Sequence, residues 1–197
     1  MLIQDARLRI RHCFPVVLWP DVDAGSLLLE PLYNDPAWLV SPESIGPIVV
    51  NGEQLSIPYR VHLLEPEPNR LLALTNIQQL ILRAILSRSN DGFVREKCVG
   101  ELLRSHEPWI PPFVLQLLGE YVLAIIRVVE DQSTVLKSWE YRRFVIENPA
   151  FFQLLKQRIA SYWNCYYRAM FPRLRDYPAF QIAEYFDEVM RKKIVGS

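Results

Sequence analysis

Between Pro111 and Asp131 the chain reads PPFVLQLLGEYVLAIIRVVED, and at the period of a helix Gln116, Glu120, Arg127, Glu130 and Asp131 fall on one narrow stripe, with apolar or small residues elsewhere. This pattern predicts a helix over residues 112–130, central and wrapped by neighbours. Pro111 and Pro112 suit a first turn, where their missing N–H groups cost no intrahelical bond, and the acidic pair closes the run. Glu120 and Arg127 inside the apolar stretch would be costly in lipid, so a soluble core helix is expected rather than a membrane span.

The first third has a different rhythm. Ala6 to Arg11 alternates apolar and basic, which predicts a strand with Arg7, Arg9 and Arg11 on one solvated face at a sheet edge; an anion-binding ladder is the rival reading. Six prolines between Pro15 and Pro47 leave no room for long helices. Asn51-Gly52 between Ile48-Val49-Val50 and a run ending in Leu55 and Ile57 predicts a tight hairpin, because both central positions of a type I′ turn need positive φ. Tyr59 to Leu64 alternates and reads as one more strand. The polar, proline-broken stretch EPEPNR then marks a change of period, which divides the chain into a β-rich region, 1–66, and a helical domain, 67–197, together forming one unit.

Helical signals follow in series. Thr75 and Gln78 have capping-box spacing ahead of Ile77, Leu80, Ile81, Ala84 and Ile85. Asp91 can cap a second helix, whose buried arc of Val94, Cys98, Val99, Leu102 and Leu103 includes Arg95. Further helices are expected over 135–147, from Pro149 to about Met170, and from Pro178 to about Ile194. In the second of these, Phe151, Phe152, Leu155, Ile159, Tyr162, Trp163 and Tyr166 share an arc about 120 degrees wide, the width of a core face, which leaves Tyr167 and Arg168 outside it. The predicted fold is α+β: a small N-terminal antiparallel sheet followed by a five- or six-helix bundle.

Asp91-Gly92-Phe93-Val94-Arg95, with Cys98 and Leu102 after it, resembles the second helix of a HEAT repeat, in which an aspartate opens the helix and a Val-Arg pair follows. The resemblance implies that these polar residues would join hydrogen-bonded ladders between stacked repeats. It covers one helical hairpin, 75–104, and no second copy recurs at a fixed period, so a solenoid is not expected.

Composition narrows the choices without naming one. Half of the 197 residues are hydrophobic and 22% are charged, a globular balance. The formal charge is zero, yet residues 1–68 hold 4 Arg and no Lys against 9 acids, while residues 69–197 hold 18 basic residues against 13 acids. This asymmetry is too mild to imply nucleic acid by itself. Cys13, Cys98 and Cys165 are an odd, scattered set, and the N-terminus lacks the unbroken apolar core of a signal peptide, so a reducing, cytoplasmic location is the default.

Candidate chemistry is sparse. His12, His62 and His106 are scattered without metal-ligand spacing, and no nucleophile elbow, phosphate loop or dinucleotide fingerprint occurs, so neither metal nor cofactor is expected and no catalytic residue is assigned. A buried Arg95 demands a partner; Glu120 is the expected one, with Asp91 competing, and a structural pair is favoured over a pocket because a carboxylate held by arginine is a poor general base. Three functions remain open. The first is binding to another protein, as an adaptor, inhibitor or immunity-type partner, through Trp19, Tyr33 and Trp38 in the proline-rich third. The second is association with nucleic acid through the basic helical half, notably Arg142, Arg143, Tyr167, Arg168, Arg173 and Arg175. The third is an enzyme with a pocket around Arg95 and Glu120. Self-association into a homo-oligomer is compatible with each.

Overall fold

The computed structural model describes residues 4–32, 40–41 and 44–195 and divides into two compact units, Met1–Ser105 and His106–Ser197. The chain is α+β, with helices dominant and short antiparallel strands confined, among the described residues, to the first unit.

The first unit begins with helix α1, Gln4–Arg11, where alternation predicted a strand. Six alternating residues are too few to fix a period, and burial decides between the two: Ala6 and Ile10 are buried one helical turn apart, while Leu8, which a strand would put on their face, is exposed. Arg11 donates to Asp23 (Nε to Oδ1, 2.6 Å) on α2, Trp19–Ser26, so the arginines do not form a ladder. Helix α2 is short and carries Pro20 in its first turn, as its proline-punctuated setting requires. Strands β1, Glu30–Pro31, and β4, Leu63–Leu64, form one antiparallel pair; β2, Ile48–Val50, and β3, Glu53–Leu55, form the other. The second pair is the expected hairpin, with Asn51 and Gly52 at φ 53° and 86°.

After the single turn α3, Pro68–Leu71, come α4, Asn76–Leu86, and α5, Gly92–Leu102. The Thr75 hydroxyl accepts from the Gln78 amide (3.3 Å) while the Gln78 side chain accepts from the Thr75 amide (3.1 Å), a reciprocal capping box. Asp91 caps α5 by accepting from the Phe93 amide at 2.8 Å. The turn joining these helices is locked to the extended chain, since the Val61 amide donates to the Arg88 carbonyl (2.9 Å) and the Asn90 amide donates back to Val61 (3.1 Å).

The second unit is a helical bundle of α6, Pro111–Leu118, α7, Leu123–Asp131, α8, Trp139–Glu147, α9, Pro149–Tyr162, and α10, Pro178–Val195. Helix α6 is buried along its whole length and packs on α7, α8 and α9; α10 packs on α7, α8 and α9. The long helix expected over 112–130 is therefore two helices with a break at Gly119–Val122. Gly119 explains the break: a Cβ there would lie 2.9 Å from Leu155 Cδ1 and 3.2 Å from Arg158 Cβ, so α6 ends where its backbone meets α9. The polar stripe is split with it. Gln116 and Glu120 are buried, whereas Arg127 and Asp131 are exposed.

Candidate functional site: an aromatic and arginine surface

The aromatic run after α9 departs most from the expected core. From Trp163 to Tyr167 the helix widens into a π-helical turn, and no side chain between Ser161 and Asp176 is fully buried. The buried face of α9 ends with Ile159. Two causes combine: α6 stops opposite Leu155 and Arg158, and the wider turn rotates later side chains off the arc that a regular helix would keep.

The rings around this turn form one connected cluster that runs from exposed Tyr166 to the buried Tyr177. Tyr121, Tyr162 and Tyr166 lie with centroids 6.0–6.1 Å apart, Tyr166 continues to Tyr167 at 6.3 Å, Tyr167 stacks on Tyr177 at 5.4 Å, and Phe171 meets Tyr177 at 5.5 Å. Tyr121, Tyr166 and Met170 remain 50%, 63% and 61% exposed. Arg127 lies over the Phe171 ring and Arg168 over the Trp163 ring, at 5.5 and 5.4 Å.

Hydrogen bonds fix this surface to the bundle. The Trp163 indole N–H donates to the Phe171 carbonyl at 2.8 Å, closing the segment on itself. The Tyr167 hydroxyl donates to the carbonyl of Tyr121, inside the α6–α7 break. Burial raises the Tyr167 phenol above its ordinary value, while a backbone hydrogen bond from Leu123 acts the other way. The phenol thus serves both chain ends of the break, where Val122 supplies no side-chain cap for α7.

The charge is one-sided along this segment, while beside it Arg127 pairs with Glu130 at 2.5 Å. From Asn148 to Arg175 there is no Asp or Glu, against Lys156, Arg158, Arg168, Arg173 and Arg175. Lys156 pairs with Asp187 and Arg173 with Asp176, both at 2.7 Å. Arg168 donates to the neutral Asn164 side chain at 3.1 Å, while the charge of Arg175, after that of Arg173, helps to hold the Asp176 carboxyl below its ordinary value.

The residues singled out from the sequence are dispersed. Tyr167 and Arg168 belong to the cluster. Arg142 is exposed on α8, Arg143 on the same helix pairs with Glu147 at 2.7 Å, and neither shares a hydrogen bond, ion pair or ring contact with Tyr167 or Arg168 among the described residues. Trp19 is half-buried, donating its indole N–H to the Phe14 carbonyl (3.2 Å) and meeting His12 edge to face. Tyr33 and Trp38 lie outside the described residues. Tyr121, Tyr162, Trp163, Tyr166 and Phe171 had no assigned role: the first stands where a continuous helix was expected, and the next three fall within the predicted core arc.

Arg95 is buried in the first unit and donates through Nη1 to the carbonyls of Ser89 (2.7 Å) and Asn90 (3.0 Å). It places a cation beside the turn that follows α4, where the helix dipole favours one. Glu120 is buried in the second unit, and Asp91 is occupied as the cap of α5. Arg83 pairs with Glu101 and Glu65 at 2.7 and 2.9 Å, and Lys97 joins Glu65 at 2.5 Å. Burial pushes the Cys98 thiol up to about 12, making it a poor nucleophile. Among the described residues no group of three or more His, Cys, Asp or Glu could hold a metal ion, and no helix is long and apolar enough to cross a membrane. No family model, curated protein or solved structure matches the chain.

Proposed function

We propose that this protein acts by binding another protein, and that the aromatic and arginine surface around the π-helical turn is its docking site. The single observation carrying this reading is the cluster itself: Tyr121, Tyr166 and Met170 stay largely exposed beside rings held by the hydrogen bonds of Trp163 and Tyr167. Interface centres are enriched in Tyr, Trp, Phe, Met and Arg and depleted in Lys, Glu and Asp, and the segment from Ser161 to Arg175 has that composition, with no Lys, Glu or Asp. Aromatic side chains have few rotatable bonds, so ordering them on binding costs little entropy, and rings already fixed cost less. An exposed apolar group of this kind, bordered by charge, is a feature of interaction sites.

Binding of single-stranded nucleic acid is the second reading, favoured by the rings and the lack of acids. The charge argues against it: the sequence pI is about 6.8, where a nucleic-acid-binding domain is typically strongly basic. Affinity purification of the full chain and of a Tyr166→Ser variant, each at native expression level and with nuclease, separates the two. A stoichiometric protein that survives nuclease and is lost with Tyr166→Ser is the expected result. Nuclease-sensitive recovery, or recovery indifferent to the substitution, contradicts the proposal.

A further inference from the structure

We infer that the partner meets this surface with an acidic segment, one of whose carboxylates engages Arg168 while an apolar side chain enters the tyrosines. The inference rests on the docking surface proposed above and names the chemistry of its occupant. Its basis is charge complementarity. Lys156 and Arg173 already have carboxylate partners and Arg175 acts on Asp176, whereas Arg168 has only a neutral amide.

Arg168 is also suited to a carboxylate by its posture. A guanidinium has five N–H donors in one plane, and one of them reaches Asn164. Lying over the Trp163 ring restricts the guanidinium, and a carboxylate can take two guanidinium donors at once. The neighbouring rings would displace water from such a contact and strengthen it. One unmatched arginine suits a carboxylate better than a phosphate backbone, whose binding draws on many cations at once.

The test is selection of random peptides displayed on phage against the full chain, followed by affinity measurement with synthesised winners on the wild type, Tyr166→Ser, Arg168→Gln and Arg168→Glu. The expected winners are net negative with an aromatic or large aliphatic residue. They should bind Tyr166→Ser and Arg168→Gln about tenfold more weakly and Arg168→Glu more weakly still. Thermal melting checks that the variants remain folded, and Tyr166 and Arg168 are both exposed enough for that to be expected. Winners that are neutral or basic, or that bind Arg168→Glu as well as wild type, overturn the acidic occupant and leave the docking surface standing. Winners indifferent to Tyr166→Ser, or tighter binding of a labelled oligothymidylate than of any peptide, overturn both.

Discussion

The phenol of Tyr167, in a π-helical turn, donates its hydrogen bond to the backbone carbonyl of Tyr121, in the break between two helices. One side chain thereby ties the aromatic run to the point where α6 gives way to α7. Tyr167→Phe keeps the ring on Tyr177 and removes the donor, so chemical denaturation should show a loss of about 1 kcal/mol. Tyr167→Ala also removes the stacked ring and should cost more. Equal stability of all three proteins would mean that the bond contributes nothing.

Gly119 ends α6 for want of space. At φ −90° the backbone itself would accept another residue, so the objection is contact with Leu155 and Arg158. Gly119→Ala should therefore lower the melting temperature, by an amount corresponding to about 1–2 kcal/mol, although alanine is the better helix former. A stabilised Gly119→Ala protein would show that α9 yields easily at this level.

Arg95 fills a structural role through the carbonyls of Ser89 and Asn90. Arg95→Met preserves the bulk but leaves those acceptors without their donor in a buried place, and a loss of about 2–4 kcal/mol is expected in urea unfolding. If Arg95→Met unfolds at the wild-type midpoint, the guanidinium is not needed to hold the turn.

Much of the fold was legible in the sequence because it rests on local chemistry. Asn51-Gly52 demanded positive φ, Thr75 with Gln78 made a capping box, and Asp91 made a cap, whatever the rest of the chain did. The errors arose where the deciding fact was non-local or the pattern too short. Residues 6–11 fitted two periods, and burial of Ala6 and Ile10 on one side chose the helix. The break at Gly119 depends on α9, more than thirty residues later in the sequence, so the periodicity of 112–130 looked continuous. The aromatic arc of α9 was drawn at a constant angle per residue, which the π-helical turn does not keep. The same two errors hid the candidate site, because Tyr121 marks the break and Tyr166 the widened turn.

Acid should weaken the first unit through Glu65. Burial works to raise its carboxyl, but the bond and charge of Lys97, and after them those of Arg83, outweigh it and hold the group below its ordinary value. A depressed carboxylate contributes stability above its unfolded pKa, about 4.3, and loses that contribution as pH falls through the lower folded value. The gap in urea midpoint between wild type and Glu65→Gln should thus be constant above about pH 5.5 and shrink as pH drops toward 3. A gap that does not change with pH would contradict the assignment.

The central claim is that the surface containing Tyr166 docks a protein, and site-specific photo-crosslinking in cells tests it most directly. A photoreactive amino acid would replace Tyr166 in one chain and Leu154, exposed on α9 outside the ring cluster, in another. The account predicts a discrete covalent product with one protein from position 166 and none from position 154. Identical products from both positions, a product only with nucleic acid, or no product from position 166 would contradict it.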